Sequence, residues 1–221
     1  MNILLDNALE YARRGWFVFP TREKERIWNK DGKDIVLKAK SPYVKGGFQV
    51  ATTDEKQIRE WWAKYPNAGI GISCGHSNLV VVDIDVKDGR DGLNNFISMN
   101  VSDEGALHAS TPSGGIHILY TGSLYSQANV KEGVDVRGIG AYIVAPPSWI
   151  YNCNGEKKAY AKTDDWSRTP PPIPANFAEQ LDKLKNRDYV KVERKIVNED
   201  LAVTIEKARK ALYSLPSEFY E

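Results

Sequence analysis

The chain has 221 residues, of which 42% are hydrophobic and 27% charged, and this composition excludes disordered, collagen-like and disulfide-framework proteins. The length allows one large domain, or one domain with a small appendage. The formal net charge is +1, so the chain has no overall basic excess and any phosphate-binding surface must be local.

Cysteine spacing and hydropathy indicate the compartment. Cys74 and Cys153 lie far apart in the chain and fit neither a zinc knuckle nor a redox pair, which is typical of thiols in a reducing compartment. No stretch approaches the roughly 20 apolar residues of a membrane span. We therefore expect a cytoplasmic protein with no membrane partner.

The N-terminal third predicts a helix, a short strand and a long polar loop. Apolar residues at helical spacing predict a helix over 3–14, and a strand follows over 16–19. Residues 22–45 are polar and contain eight Lys or Arg against four Asp or Glu. This excess fits a solvated surface loop and a phosphate-binding segment equally well.

A second helix is predicted directly after this loop. Thr52 and Glu55 have the spacing of a capping box. Ile58, Trp61 and Trp62 then face inward before Pro66 ends the helix.

The centre of the chain predicts a sheet of short strands with one helix near 91–99. Gly, Pro, Asn and Ser separate the β-rich runs. The predicted strands are 69–73, 79–86, 107–110, 115–120, 134–137, 142–145 and a hairpin around Trp149 and Tyr160.

A proline-rich segment marks a candidate domain boundary. Four prolines between 170 and 174 predict a stiff extended connector. We therefore expect one domain over 1–172 and a helical extension over 173–221, with helices at 175–186 and after Asn198. The apolar residues of the final SLPSEFYE suggest a chain cut from a longer polypeptide.

Two carboxylates share one face of the strand LVVVDIDV. Asp83 and Asp85 are two residues apart, so both point away from the apolar side of the strand, with Cα atoms about 6.6 Å apart. Such a pair can hold divalent cations, although a half-buried strand can also expose both acids to water.

A glycine-rich bend in TPSGGIHILY can approach an anion closely. Backbone N–H groups of Gly114 and Gly115, the Ser113 hydroxyl and the His117 ring can each meet phosphate oxygens. An ordinary hairpin turn with a structural histidine is the alternative.

The segment GVDVRGIGAYIVAPPS places Asp135 and Arg137 on one strand face. Asp135 can complete an acidic cluster and Arg137 offers a fork for phosphate oxygens, or the two can form a plain ion pair. Three acids, a histidine, an arginine and a glycine bend together suit two-metal nucleotidyl transfer.

The sequence resembles the N-terminal primase/polymerase domain of the archaeo-eukaryotic primase superfamily, as found in phage and plasmid replication proteins. The resemblance spans about three quarters of the chain. The three motifs that resemble the family are VVDIDV, TPSGGIHILY and GVDVRGIGAYIVAPPS. Three other segments resemble it as well: ALEYARRGWFVFP, KSPYVKGGFQVATTDEKQIREWW and NAGIGISCG. The family often has Ser-x-His in its second motif, whereas here Gly115 occupies the Ser position and Ser113 lies two residues earlier.

This resemblance implies an α+β fold, with a catalytic sheet of the RNA-recognition-motif type, a small N-terminal α/β unit and C-terminal helices. It implies that Asp83, Asp85 and Asp135 bind two Mg²⁺ or Mn²⁺ ions and that His117 contacts the nucleotide. Arg137 and the Gly114–Gly115 bend would hold the triphosphate, with Lys45 a weaker candidate. Tyr142 could contact the sugar and exclude a 2′-hydroxyl, or could be a core aromatic.

The implied partners are a single-stranded DNA template, a primer, dNTPs or NTPs, and a covalently linked helicase or helical module. The implied setting is a prokaryotic or phage-infected cell. Candidate template contacts are residues 22–45, the exposed members of Trp61 and Trp62, and the basic segment 183–195. RNA primase, a two-metal nuclease and a non-catalytic nucleic-acid-binding module remain alternatives.

Overall fold

The structure is a computed structural model that describes residues 2–30 and 33–184. The chain divides into two units, Met1–Phe177 and Ala178–Glu221. Residues 175–184 are helical. The helix predicted after Asn198 and most of the basic segment 183–195 lie outside the described residues. The division into a domain over 1–172 and a helical extension over 173–221 stays a prediction.

Two N-terminal helices form close to the predicted positions. Helix α1 is Ile3–Arg13, and the Asn2 side chain caps it by accepting the N–H groups of Leu4 and Leu5. Helix α2 is Glu55–Lys64, with Asp54 as its N-cap. The predicted cap at Thr52 is wrong, because Thr52 is held in extended backbone by two hydrogen bonds with Val18.

The segment predicted as a loop contains a β-ribbon. Strand β1 is Val18–Thr21, and β2 (Arg26–Lys30) then pairs antiparallel with β3 (Lys33–Leu37). A short 3₁₀ helix follows at Gly47–Val50. The loop prediction for 26–37 was therefore wrong, because this ribbon exposes apolar residues on both faces and lacks the alternation that usually marks a strand.

Two antiparallel sheets make up the rest of the fold. The three-stranded sheet has the order β1-β4-β10, with β4 at Gly69–Ser73 and β10 at Tyr142–Ala145. The strands of the larger sheet are β5 (Leu79–Ile84), β6 (Leu107–Ser110), β7 (Ile116–Thr121), β8 (Gln127–Lys131), β9 (Val134–Arg137) and, later in the chain, β13 (Ala161–Lys162). The spatial order in this sheet is β13-β6-β7-β5-β9-β8. A separate hairpin pairs β11 (Trp149–Tyr151) with β12 (Lys157–Ala159).

One buried apolar cluster joins the two sheets and the N-terminal helices. It includes Tyr11 from α1, Trp62 from α2, Ile72 from β4, Val81 from β5 and Leu119 from β7. Helix α3, Gly92–Ile97, contacts β5, β8 and β9. Mostly antiparallel sheets with few helices confirm the predicted α+β class. Across residues 2–30 and 33–184, no helix is long and apolar enough to cross a membrane.

Candidate functional site

Three polar side chains form a row across the middle of the large sheet. Asp83 in β5 lies directly opposite His117 in β7 on one side and directly opposite Asp135 in β9 on the other. Cross-strand partners share a sheet face, so the three side chains point to the same side. Residues far apart in the chain are thus brought together by strand register alone.

Asp85 lies just beyond the end of β5. Its backbone N–H donates to the Gly133 carbonyl at 2.8 Å. Its carboxylate lies 3.8 Å from Lys87 Nζ and 3.6 Å from Arg90 Nη1. The second acid of the pair therefore lines the same cleft as Asp83, beside two cations.

Arg137 bridges the two facing carboxylates of the row. Its Nη2 donates to Asp83 Oδ2 at 3.2 Å and to Asp135 Oδ2 at 2.6 Å. The second Asp135 oxygen accepts the Asn129 backbone N–H at 2.6 Å. Asp135 therefore faces Asp83 across a shared guanidinium.

The charges around Asp83 keep its carboxyl group ionised. Burial favours the neutral acid, but the hydrogen bond and charge of His117 and the guanidinium of Arg137 outweigh burial and lower the pKa of Asp83 to about 2. The Asp83 side chain is 20% exposed. Asp83 is therefore an anion at neutral pH.

His117 is buried and keeps one ring nitrogen without a partner. Its Nε2 lies 3.5 Å from Asp83 Oδ1, and its ring packs against Tyr160 with centroids 5.7 Å apart. His117 Nδ1 is buried and has no hydrogen-bond partner among the described residues. Because buried polar atoms are usually paired, this nitrogen is an exception among the described residues.

The glycine bend before β7 passes very close to β5. A Cβ at Gly115 would lie 2.2 Å from the Ile84 carbonyl oxygen, and Gly114 has a φ of +86°. Glycine is needed at both positions. The exposed Ser113 hydroxyl lies 3.2 Å from the Thr111 hydroxyl.

The row opens into a cleft of about 430 Å³ between the two sheets. Its charged and aromatic walls include Asp83, Asp85, His117, Arg137, Lys40 and Tyr142. Ser113 and Thr111 also line it. Asp135 is not part of this lining, but it accepts a hydrogen bond from Arg137, which is.

Lys40 is a site residue that the sequence did not single out. It lines the cleft, whereas the predicted Lys45 is exposed and is not part of the lining. Burial lowers the pKa of Lys40, the charges of Lys87 and Arg137 act in the same direction, and Asp83 and Asp85 oppose them. Within the described chain, Lys40 Nζ forms no ion pair, although its ammonium lies 5.8 Å from the centre of the Tyr160 ring.

Backbone contacts fix Lys40 at the mouth of the cleft. It has a φ of +70°, and its N–H donates to the Arg22 carbonyl at 2.8 Å. Its carbonyl accepts the Tyr142 hydroxyl at 3.3 Å. No local sequence signal marks this position, because the contacts that fix it come from distant parts of the chain.

Tyr142 stands on the wall opposite the acids. Its ring meets Phe19 edge-on, with centroids 5.1 Å apart, and is tilted against Phe48 at 5.7 Å. Burial raises the pKa of its hydroxyl, and Arg137 opposes this effect. The ring therefore lines the cleft together with Phe48 and packs against Phe19.

The donor chemistry of the three acids fits Mg²⁺ or Mn²⁺. Asp83, Asp85 and Asp135 offer only carboxylate oxygens, which these hard cations prefer. Within residues 2–30 and 33–184, no three His, Cys, Asp or Glu side chains are already gathered as a metal cage. Arg137 instead supplies the positive charge between Asp83 and Asp135.

Comparison with protein families gives one match. The family model described as "Bifunctional DNA primase/polymerase, N-terminal" matches residues 8–176, and it indicates DNA primase/polymerase activity of the nucleotidyltransferase type. A comparison with curated proteins finds no match. The family match covers more than half of the chain and includes the whole row of Asp83, His117 and Asp135, so the chain belongs to the bifunctional DNA primase/polymerase N-terminal domain family.

Proposed function

We propose that this chain is a template-dependent DNA primase/polymerase that transfers nucleotides from dNTPs to a 3′-hydroxyl. The observation that supports it best is the cross-strand row of Asp83, His117 and Asp135, in which Asp83 and His117 line the cleft. The row combines anionic groups with a buried histidine nitrogen that has no partner among the described residues. This combination suits a metal-bound triphosphate.

Asp83, Asp85 and Asp135 would hold two Mg²⁺ or Mn²⁺ ions. When bound, such ions supply Lewis-acid activation of the 3′-hydroxyl and neutralise charge on the triphosphate. In the transfer, the 3′-oxygen forms a bond to the α-phosphorus, the bond to the β-phosphate breaks, and pyrophosphate leaves. The hydroxyl proton passes to water, so the three acids need not move protons.

The cations of the cleft would orient the triphosphate. Arg137 would exchange its contacts with Asp83 and Asp135 for phosphate oxygens, which a guanidinium binds in the same forked geometry. His117 would offer its Nδ1 side, and Lys40 its ammonium. The Gly114–Gly115 bend and Ser113 would approach the phosphates from the β7 side of the cleft.

The macromolecular partners follow from this chemistry. The chain would act on a single-stranded DNA template with a primer, and in primer-independent initiation the 3′-hydroxyl of a second nucleotide would replace the primer end. We also propose that a helical module or helicase accompanies this domain in the full-length protein. Tyr142, packed on Phe19 and Phe48, would lie against the sugar.

The direct test is primer extension by the purified chain. A labelled dNTP or NTP is supplied with a single-stranded template, with and without primer, in Mg²⁺ or Mn²⁺. We expect metal-dependent extension, abolished by chelator and reduced at least about 100-fold in Asp83→Asn. Shortening of the template without extension would identify a nuclease and refute the proposal.

A matched control separates chemistry from surface charge. Glu104→Gln also removes one negative charge by an isosteric change, but Glu104 is exposed and is not part of the cleft lining. It should extend primers at the parent rate. Full activity of Asp83→Asn would also refute the proposal.

A further inference from the structure

The ribbon of β2 and β3 stands apart from the other sheets. Its two strands hydrogen-bond to each other in the register Ile27↔Val36 and Trp28↔Ile35. Within the part of the chain that the structure describes, neither strand joins either larger sheet. An isolated two-stranded ribbon is only marginally stable, so a bound partner would add to its stability.

The ribbon exposes apolar side chains on both of its faces. Ile27 and Val36 form one pair, 67% and 48% exposed. Trp28 and Ile35 form the pair on the other face, 54% and 38% exposed. A tryptophan exposed to this extent is a candidate binding group.

The two ends of the ribbon lie close in the chain to residues at the cleft. Strand β3 ends at Leu37, and Lys40, three residues later, lines the cleft. Strand β2 begins five residues after Thr21, the last residue of β1. Thr21 forms a β-bridge with Pro42, which follows Lys40 by two residues. The base of the ribbon therefore lies next to the cleft.

The charge of the ribbon favours nucleic acid over a second protein. Residues 26–38 contain four Lys or Arg and two Asp, and Lys33 and Lys38 are exposed. A stable protein interface needs about 800 Å² of contiguous surface on each partner, whereas this ribbon offers two narrow apolar strips on opposite faces. Separate rings and aliphatic groups flanked by cations suit bases that stack singly while phosphates meet lysines.

We propose that the β2–β3 ribbon binds single-stranded nucleic acid next to the active site, with Trp28 stacking on a base and Lys33 and Lys38 contacting the backbone. This assignment rests on the proposed function, because polymerisation requires a template strand close to the active site. The ribbon would hold the strand close to the cleft without taking part in phosphoryl transfer. It is therefore a positioning element.

The test measures binding of labelled oligo(dT) to the full chain by fluorescence anisotropy without nucleotide. Trp28→Ala should weaken binding roughly 5- to 100-fold, the usual effect of losing one stacking aromatic. Ile27→Thr keeps a branched side chain and should weaken binding less. Its matched control is Ile97→Thr, because Ile97 on α3 is 64% exposed against 67% for Ile27, and this control should bind like the parent.

A second variant tests the backbone contacts. Lys33→Ala combined with Lys38→Ala should lower the slope of log affinity against log salt concentration by about 1 to 2. Lys56→Ala combined with Lys64→Ala removes two lysines of α2 and should leave the slope unchanged. Parent-like oligo(dT) binding by both ribbon variants would overturn the assignment.

Two further readouts separate this inference from its alternatives. Sedimentation velocity detects self-association, and a ribbon variant that changes it while binding oligo(dT) normally would identify the ribbon as a contact between copies, which overturns the proposal. Calorimetry with Mn²⁺ and dNTP should give parent-like nucleotide binding in Trp28→Ala. If the parent binds oligo(dT) through the ribbon but never extends a primer, the proposed function fails and the ribbon assignment stands.

Discussion

Asp83 and Asp135 are direct cross-strand partners in β5 and β9, so two carboxylates face each other on one side of a central strand pair. Like charges placed directly opposite each other destabilise a sheet. Here the guanidinium of Arg137 lies within 3.2 Å of one and 2.6 Å of the other. The site therefore holds a repulsive pair: His117 lies beside Asp83 alone, whereas the charge of both acids is offset by one side chain, Arg137, or by bound cations.

Removal of that side chain should reveal the repulsion. We expect Arg137→Gln to lower the free energy of unfolding by about 1–2 kcal/mol in chelator, less than for a fully buried pair because the three side chains are 20–34% exposed. Added Mn²⁺ should restore part of the loss. Urea unfolding with and without Mn²⁺ measures both effects.

Arg59→Gln is the matched control for this change. It removes an exposed guanidinium that pairs with Glu55 at 3.2 Å on α2, where ion pairs contribute little. We expect at most about 0.5 kcal/mol and no response to Mn²⁺. An Arg137 variant that behaves like the Arg59 variant would show that Asp83 and Asp135 do not repel each other.

The low pKa of Asp83 predicts a specific acid instability in chelator. The folded pKa is about 2, whereas an unfolded Asp titrates near 3.9, so between these values the unfolded chain binds the proton first. The stabilisation, about 2 kcal/mol, is present above about pH 4 and is lost as the pH falls to about 2. Unfolding free energies measured across this range should fall less steeply in Asp83→Asn, and equal slopes would contradict the prediction.

The sequence predicted the acids and the histidine because strands carry their own signal. Alternation in LVVVDIDV puts Asp83 and Asp85 on one face whatever the rest of the chain does. The exact register that sets Asp83 between His117 and Asp135 was not predictable, because strand pairing depends on the whole sheet. The shared contact of Arg137 follows from that register.

The position of Lys40 and the start of α2 depend on contacts between distant parts of the chain. Lys40 and Lys45 are both lysines in one polar segment, and only the long-range contacts of Lys40 with Arg22 and Tyr142 place it at the cleft. The N-cap of α2 is Asp54 and not the predicted Thr52, because a β-bridge to Val18 keeps the backbone of Thr52 extended. In each case tertiary hydrogen bonds decided the outcome.

The two lysines give a direct comparison of the sequence prediction with the structure. Lys40→Ala removes a cleft ammonium that is close to the acids but forms no ion pair with any described residue, so it should weaken Mn²⁺-dependent dNTP binding about 10- to 100-fold. Lys45→Ala should leave nucleotide affinity unchanged, because Lys45 is exposed outside the cleft lining. Isothermal calorimetry on both variants measures this, and the reverse order of effects would exclude Lys40 as a triphosphate contact.

Tyr142 should decide whether the cleft accepts ribonucleotides. Its ring packs against Phe19 and against Phe48, which also lines the cleft, and these contacts restrict its movement away from a 2′-hydroxyl. Tyr142→Ala should therefore raise the ratio of NTP to dNTP incorporation roughly 10- to 100-fold, the range expected when a small steric contact is removed.

A Phe variant distinguishes the effect of the Tyr142 ring from the effect of its hydroxyl group. Tyr142→Phe loses only the hydrogen bond to the Lys40 carbonyl, so it should keep the parent discrimination if the ring alone excludes the 2′-hydroxyl. Single-nucleotide extension with matched dNTP and NTP measures the ratio for each variant. If Tyr142→Ala discriminates as the parent does, the ring is a packing residue of the small sheet and sugar selection lies elsewhere in the cleft.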